Sequence, residues 1–63
     1  MKYSEAIKLL RKKLLLTQKE LAKRLGVSFE TVNRWESGKY IPTMKTKRLL
    51  APLFKKNDIE VEL

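Results

Sequence analysis

The sequence predicts an all-α domain, a compact bundle of four to five helices. Apolar residues recur three and four positions apart, which is the spacing that places them on one face of a helix. The 63 residues can build only one hydrophobic core, and 2 glycines and 2 prolines leave little material for loops. With 43% hydrophobic residues, the composition also differs from that of a disordered chain.

The first helix is predicted over residues 4–14, where an apolar stripe runs along one face. The stripe consists of Tyr3, Ile7, Leu10 and Leu14. Because these residues are four, three and four positions apart, they share the face that lies against a core.

A tight turn joins the second and third helices. Helix two begins with a capping box, in which the side chains of Thr17 and Glu20 each accept a hydrogen bond from the other residue's backbone amide. It ends at Gly26, because glycine takes the left-handed conformation without strain from a Cβ atom. Helix three begins almost at once, at its N-cap Ser28, and ends at Gly38. Two helices that are joined across residues 26–28 form a helix-turn-helix.

A fourth helix is predicted to begin after the N-cap Thr43. Pro52 interrupts it, because proline lacks the amide proton that would bond to the carbonyl of Arg48. We therefore predict a break and a restart, with a short last helical segment over residues 52–56. The domain accordingly spans residues 1–56.

Residues 57–63 are predicted to form an acidic C-terminal tail outside this domain. In this tail, apolar residues alternate with acidic residues, which is the period of a strand. The apolar residues are Ile59, Val61 and Leu63, and the acidic residues are Asp58, Glu60 and Glu62. Since a lone strand has no partner within this chain, we interpret the segment as a loose tail that pairs only in an oligomer.

Charge is the strongest compositional signal for a partner. The chain has 15 Lys and Arg residues against 7 Asp and Glu residues, a net charge of +8, and all 15 basic residues lie within residues 1–56. Such a field favours a polyanion, either nucleic acid or an anionic membrane surface. No segment approaches the ~20 apolar residues of a membrane span, and charges interrupt the first apolar residues, so we expect neither a span nor a signal peptide. The expected location is the cytoplasm.

The composition argues against most kinds of catalytic and metal site. The chain contains no Cys and no His, which excludes disulfides, zinc fingers, iron–sulfur sites, Ser-His-Asp triads and Cys-His dyads. The acidic residues before the tail are spread singly, so no nucleophile, base and oxyanion site comes together. We therefore expect no enzymatic activity, no catalytic residue, no bound metal and no cofactor.

Residues 17–39 have the sequence TQKELAKRLGVSFETVNRWESGK and are followed by Pro42. This segment resembles the phage-repressor, or Cro and Xre-like, helix-turn-helix family, and the similarity extends more loosely over residues 4–56. The resemblance implies a lambda-repressor-like DNA-binding domain, in which the third helix enters the major groove while the second crosses the DNA backbone. The sequence departs from the family at Leu15, where Gly is usual, and at Lys47, where an apolar residue is common.

The third helix, over residues 28–37, is predicted to read bases with one of its faces. At about 100° per residue, Val32 and Trp35 lie on the side that faces the core. The opposite side carries the candidate base-reading residues Phe29, Glu30, Asn33 and Arg34. In that order, they suit the thymine methyl group, the cytosine amino group, adenine and guanine. The alternatives are a merely solvated helix face and, for Phe29, a partly buried core aromatic.

The residues predicted to contact DNA phosphates are Thr17, Gln18, Ser28, Lys39, Tyr40, Thr43 and Lys45. Thr17 and Gln18 lie at the amino end of helix two, where free amide protons and the positive end of the helix dipole attract a phosphate. The residues after Gly38 lie in a loop and a helix start, where the resemblance implies further contacts with the DNA backbone. For Thr17 and Gln18, helix capping alone is the alternative role.

The resemblance also implies a structural ion pair. In the family, a base at the position of Arg11 pairs with an acid at the position of Glu36, which ties the recognition helix to the scaffold. The alternative is that these residues are two unrelated surface charges.

Three functions are compatible with these patterns. The leading hypothesis is sequence-specific binding of double-stranded DNA by a transcriptional regulator, with a homodimer formed through the face of Leu49 and Leu53 or through the C-terminal tail. The second is an antitoxin-like or protein-interaction module, in which a face with Leu49, Leu53 and Phe54 binds a partner and DNA binding is subsidiary. The third is a charge-driven binder of RNA or of membrane surfaces.

Overall fold

The part of the chain that the structure describes contains four α-helices. The structure is a computed structural model that describes residues 1–61, with helices α1 (Tyr3–Lys13), α2 (Gln18–Leu25), α3 (Phe29–Glu36) and α4 (Met44–Lys56). No strand occurs within those residues. The prediction of an all-α bundle is therefore confirmed, with four helices rather than five.

Helices α2, α3 and α4 begin through the capping interactions that the sequence predicts. Thr17 Oγ1 accepts from the Glu20 amide at 3.1 Å, and the Glu20 carboxylate accepts from the Thr17 amide at 2.8 Å, which completes the capping box of α2. Ser28 caps α3 and Thr43 caps α4, because each side-chain oxygen accepts from the amide three residues further on. These caps fix the start of three of the helices.

Each helix ends in the same type of turn. A residue just beyond the helix has a left-handed backbone, and the amide of the next residue donates to a carbonyl in the last turn, as in a Schellman motif. The left-handed residues are Leu15, Gly26, Gly38 and Asp58. The two glycines adopt this conformation without Cβ strain, so the prediction that α2 and α3 end at glycines is confirmed.

Leu15 occupies this left-handed position after α1, where the family usually has Gly. Its φ is 57°, and its side chain is 89% exposed, so no burial compensates for the strain. We therefore expect Leu15→Gly to raise the free energy of unfolding by about 1 kcal/mol. Leu15→Ala is the matched control, because it removes most of the exposed side chain but keeps the Cβ atom. Thermal melting measures both variants, and equal changes for Gly and Ala would show that the backbone is not strained.

The core lies where the helices meet and fixes one side of α3. The largest fully buried side chains are Ile7, Leu10, Leu21, Val32 and Leu50, at least one from each helix. Trp35 is also buried, so the side of α3 that was predicted to face the core does so. Ala22 of α2 is buried as well, where a small side chain suits close packing of neighbouring helices.

The prediction that the fourth helix breaks and restarts at Pro52 is wrong. Pro52 lies inside the continuous helix α4. Pro52 and Arg48, whose carbonyl loses its usual amide donor, are both exposed, so water can satisfy that carbonyl. Leu50 and Phe54 are buried in the core on either side of the proline. Their packing holds the two halves of α4 in one helix despite the missing hydrogen bond.

The segment after α4 is not the loose tail that the alternating pattern predicts. Ile59 is only 6% exposed and belongs to the core. The terminal turn of α4 explains this burial, because the Ile59 amide donates to the Phe54 carbonyl at 2.8 Å and turns the chain back onto the helix. Val61 packs against the same core. Two further residues of the pattern, Glu62 and Leu63, lie outside the described residues.

Only part of the predicted protein-binding face on α4 is open to a partner. Leu49 is 48% exposed, whereas Leu53 is half-buried and Phe54 is buried. The Phe54 ring packs against the Tyr3 ring with centroids 6.2 Å apart. Lys47 Nζ lies 5.0 Å from the Tyr3 centroid, so the half-buried Lys47 covers the core at a position where the family often has an apolar residue. The alternative function that depends on this face is therefore not favoured.

Candidate nucleic-acid interface

Helix α3 presents the candidate base-reading residues on an open face. Phe29 is 40% exposed, and Glu30, Asn33 and Arg34 are also exposed. Phe29 is not among the side chains that form or pack against the hydrophobic core, as its alternative role of a partly buried core aromatic would require. Because the core fixes the opposite side of α3, the first two turns of this face must project from the domain.

Two cation–π contacts connect this face to neighbouring elements. Lys19 Nζ on α2 lies 5.9 Å from the centroid of the Phe29 ring. The central guanidinium carbon of Arg34 lies 5.7 Å from the centroid of the Tyr40 ring. The second contact brings a candidate base reader and a candidate phosphate contact together, and the first adds Lys19, which was not among the predicted site residues.

Arg11 and Glu36 form a bidentate ion pair between α1 and α3. Arg11 Nε donates to Glu36 Oε2 at 2.8 Å, and Arg11 Nη2 donates to Glu36 Oε1 at 3.0 Å. The side chain of Glu36 is 4% exposed and that of Arg11 is 21% exposed. Arg11 Nη1 also donates to the Leu16 carbonyl at 3.3 Å. The two residues are thus not unrelated surface charges, and their pairing ties α3 to α1 and to the start of the helix-turn-helix.

Gln18 extends this ion pair into a chain of hydrogen bonds that the sequence analysis missed. Gln18 Nε2 donates to Glu36 Oε1 at 3.2 Å, and Gln18 Oε1 accepts from Asn33 Nδ2 at 3.2 Å. A residue that was predicted to contact a phosphate therefore contacts a candidate base reader. The signal in the sequence is the spacing of Asn33 and Glu36, which are three residues apart and share one edge of α3. The packing of α2 against that edge then brings Gln18 within hydrogen-bond distance of both residues.

The Glu36 carboxylate is held in its charged form. Burial alone raises the pKa of this carboxyl group, because the charged form loses hydration. The hydrogen bonds from Arg11 and Gln18 outweigh this effect, and the charges of Arg11 and Lys8 add to them, so the pKa lies below its ordinary value. At neutral pH, the carboxylate therefore only accepts hydrogen bonds.

The candidate phosphate contacts are all exposed except Gln18, which is half-buried. The exposed members are Thr17, Ser28, Lys39, Tyr40, Thr43 and Lys45. The hydroxyl groups of Thr17, Ser28 and Thr43 act as helix caps, so a role in capping is present whether or not they bind a phosphate. The Lys39 amide donates to the Arg34 carbonyl at 3.0 Å, which places Lys39 directly after the terminal turn of α3.

This scaffold matches a known protein family. A family model described as helix-turn-helix matches residues 7–56, which is most of the chain. The chain belongs to the Cro and Xre-like helix-turn-helix family. Among the described residues of this helix-turn-helix protein, no helix is both long enough and apolar enough to span a membrane.

Similar proteins come from archaea and from a bacterium. The chain is 48% identical over 48 residues to an uncharacterised HTH-type transcriptional regulator of Archaeoglobus fulgidus, covering 76% of this chain and 68% of that protein. It is 49% identical over 39 residues to another such protein of Methanocaldococcus jannaschii, covering 62% and 59%. It is 37% identical over 54 residues to the HTH-type transcriptional activator BcrR of Enterococcus faecalis, covering 86% of this chain and only 26% of BcrR. No solved structure matches the chain at a significant level.

Proposed function

We propose that this helix-turn-helix protein is a transcriptional regulator that binds double-stranded DNA sequence-specifically through α3. The observation that carries the proposal is the two-sided arrangement of this helix. Val32 and Trp35 fix one side in the core, and the opposite side presents polar and aromatic side chains that suit base edges in the major groove. A cytoplasmic location of the protein follows from this proposal, because the DNA target lies in the cytoplasm.

The charge of the protein supports a polyanionic partner. The net charge is +8, and Lys39 and Lys45 extend from the region that follows α3. The amino end of α2, with Thr17 and Gln18, offers amide groups and the positive end of a helix dipole to a phosphate. Together these groups can hold the DNA backbone while α3 contacts the bases.

The names of the similar proteins support a role in transcription. Both archaeal relatives are described as HTH-type transcriptional regulators, and the first is matched over 68% of its length. BcrR is described as a transcriptional activator, and the match covers about a quarter of it. The proposed role in regulation therefore rests on similarity to these proteins, whereas the proposed DNA binding rests on the geometry of the chain itself.

We further propose that two copies bind one DNA site as a homodimer. Helix-turn-helix modules usually bind as symmetric dimers to half-sites about 10 base pairs apart. Leu49 offers an exposed apolar side chain for the contact between copies, whereas the half-buried Leu53 offers little. Further large hydrophobic residues that are exposed are Tyr40, Ile41 and Met44.

Selection of bound sequences from random duplex DNA tests the proposed function. We expect enrichment of paired half-sites related by a two-fold axis. In competition at physiological salt, the selected duplex should displace bound DNA better than random duplex, RNA or anionic vesicles. Failure to enrich any sequence, or equal competition by RNA or vesicles, would contradict sequence-specific DNA binding.

The dependence of DNA binding on salt is a separate prediction. If a bound dimer neutralises ~6 to 8 phosphates, the logarithm of the binding constant should fall with the logarithm of salt concentration with a slope of about −5 to −7. Lys39→Ala should weaken binding to selected and random duplexes by the same factor and make this slope shallower. Lys23→Ala is the matched control, because Lys23 is also exposed but is not among the predicted contacts. A wild-type slope of about −1 would contradict the proposed phosphate contacts.

A further inference from the structure

The hydrogen-bond chain from Glu36 determines how the Gln18 amide is oriented. Glu36 Oε1 accepts from Arg11 Nη2 at 3.0 Å and from Gln18 Nε2 at 3.2 Å. Because an ionised carboxylate only accepts hydrogen bonds, the Gln18 amide must direct its nitrogen towards Glu36. Its oxygen is then directed towards Asn33 and accepts from Asn33 Nδ2 at 3.2 Å.

The same chain determines which atoms Asn33 can offer to a base. One hydrogen of Asn33 Nδ2 is donated to Gln18, so Oδ1 and the second Nδ2 hydrogen remain available on an exposed residue. A flip of the Asn33 amide would place its oxygen against Gln18 Oε1, with no hydrogen between the two acceptors. A compensating flip of Gln18 would place its oxygen against the Glu36 carboxylate. The hydrogen-bond chain therefore favours one orientation of the Asn33 amide.

An acceptor and donor pair held in this orientation matches adenine better than guanine. In the major groove, adenine presents the N7 acceptor beside the N6 donor, whereas guanine presents two acceptors, N7 and O6. Asn33 can satisfy both groups of adenine at once but only one group of guanine. We propose that Gln18 is a positioning residue that locks the Asn33 amide through Glu36 and so makes α3 select adenine at one base pair of each half-site. This inference rests on the DNA-binding function proposed above.

The test measures base preference at one base pair. The base pair that Asn33 contacts is first identified in the selected duplex. It is the position at which the Asn33→Ala variant no longer discriminates between base pairs. Fluorescence anisotropy then gives the Kd for four duplexes, each of which carries one of the four possible base pairs at this position. The wild-type protein should prefer adenine by about 5- to 150-fold, the range expected for a bidentate contact.

Gln18→Met is the test variant, because it keeps the length of the side chain and removes both the amide nitrogen and the amide oxygen. We expect the preference for adenine to fall about fivefold, since the Asn33 amide is then free to flip. Lys39→Met is the control, because Lys39 is a candidate phosphate contact outside the hydrogen-bond chain. In this control, the affinities for all four duplexes should fall by one factor and the preference should not change. An unchanged preference in Gln18→Met would overturn the inference, and so would a wild-type preference for a base other than adenine.

Nuclear magnetic resonance of the free protein provides a second readout that needs no DNA. The side-chain amide signals of Asn33 should shift in Gln18→Met and stay in place in Lys39→Met. Backbone signals of both variants show at the same time whether the helices are intact. Unchanged Asn33 signals in a folded Gln18→Met variant would overturn the inference while leaving the proposed function standing. A wild-type protein with no base preference at any position would contradict the proposed function and overturn the inference with it.

Discussion

Arg11→Met is expected to lower the free energy of unfolding by about 1–3 kcal/mol and to weaken DNA binding. Arg11 donates two hydrogen bonds to the Glu36 carboxylate, whose side chain is almost fully buried. Without the guanidinium group, Gln18 is the one side-chain donor within residues 1–61 that remains to that charge. The loss is a large share of the stability of a 63-residue domain, so thermal melting should shift clearly to lower temperature.

Lys12→Met is the matched control for Arg11→Met. Lys12 is the next residue on α1, it is exposed, and its replacement removes the same charge. An exposed charge of this kind contributes little to stability, so we expect melting close to that of the wild type. Equal melting temperatures for the two variants would mean that the ion pair stabilises the fold no more than a surface charge does.

Asn33→Ala is expected to weaken binding to the selected DNA site by about 5- to 150-fold and to leave binding to random duplex nearly unchanged. The reason is that a bidentate contact with one base is worth about 1–3 kcal/mol of discrimination, whereas random sequences are held mainly through phosphates. Asn33 lies on the exposed face of α3. Titration of each duplex with wild-type and variant protein measures both affinities.

Glu30→Ala is the comparison variant on the same face of α3. Glu30 is exposed and forms no ion pair within residues 1–61. Its replacement removes a negative charge that phosphates repel, so binding to random duplex should strengthen while discrimination falls. If Asn33→Ala and Glu30→Ala each changed both affinities by one common factor, the assignment of base reading to this face would be contradicted.

The boundaries of α2 and α3 could be predicted from the sequence because they depend on local chemistry. The capping box of Thr17 and Glu20 and the helix stops at Gly26 and Gly38 involve residues within a few positions of one another. The side of α3 that faces the core follows from helical periodicity in the same way. Helical periodicity therefore predicts the exposed face that carries the candidate base readers without any tertiary contact.

The remaining features depend on tertiary packing and could not be predicted locally. Pro52 remains inside α4 because Leu50 and Phe54 are buried in a core formed with other helices. Ile59 belongs to that core because a Schellman turn, formed with Asp58 in place of Gly, redirects the chain. Gln18 reaches Glu36 and Asn33 only because α2 and α3 pack together, across sequence separations of 18 and 15 residues.

Methylation protection tests most directly whether α3 reads DNA in the major groove. Dimethyl sulfate methylates guanine N7, which lies in the major groove, and adenine N3, which lies in the minor groove. With the protein bound to its selected duplex, we predict that guanine N7 is protected in both half-sites. Adenine N3 within the same half-sites should remain reactive. In Arg34→Ala, a guanine that is protected by the wild-type protein should become reactive again. Protection of adenine N3 together with fully reactive guanine N7 would contradict base reading by α3 in the major groove.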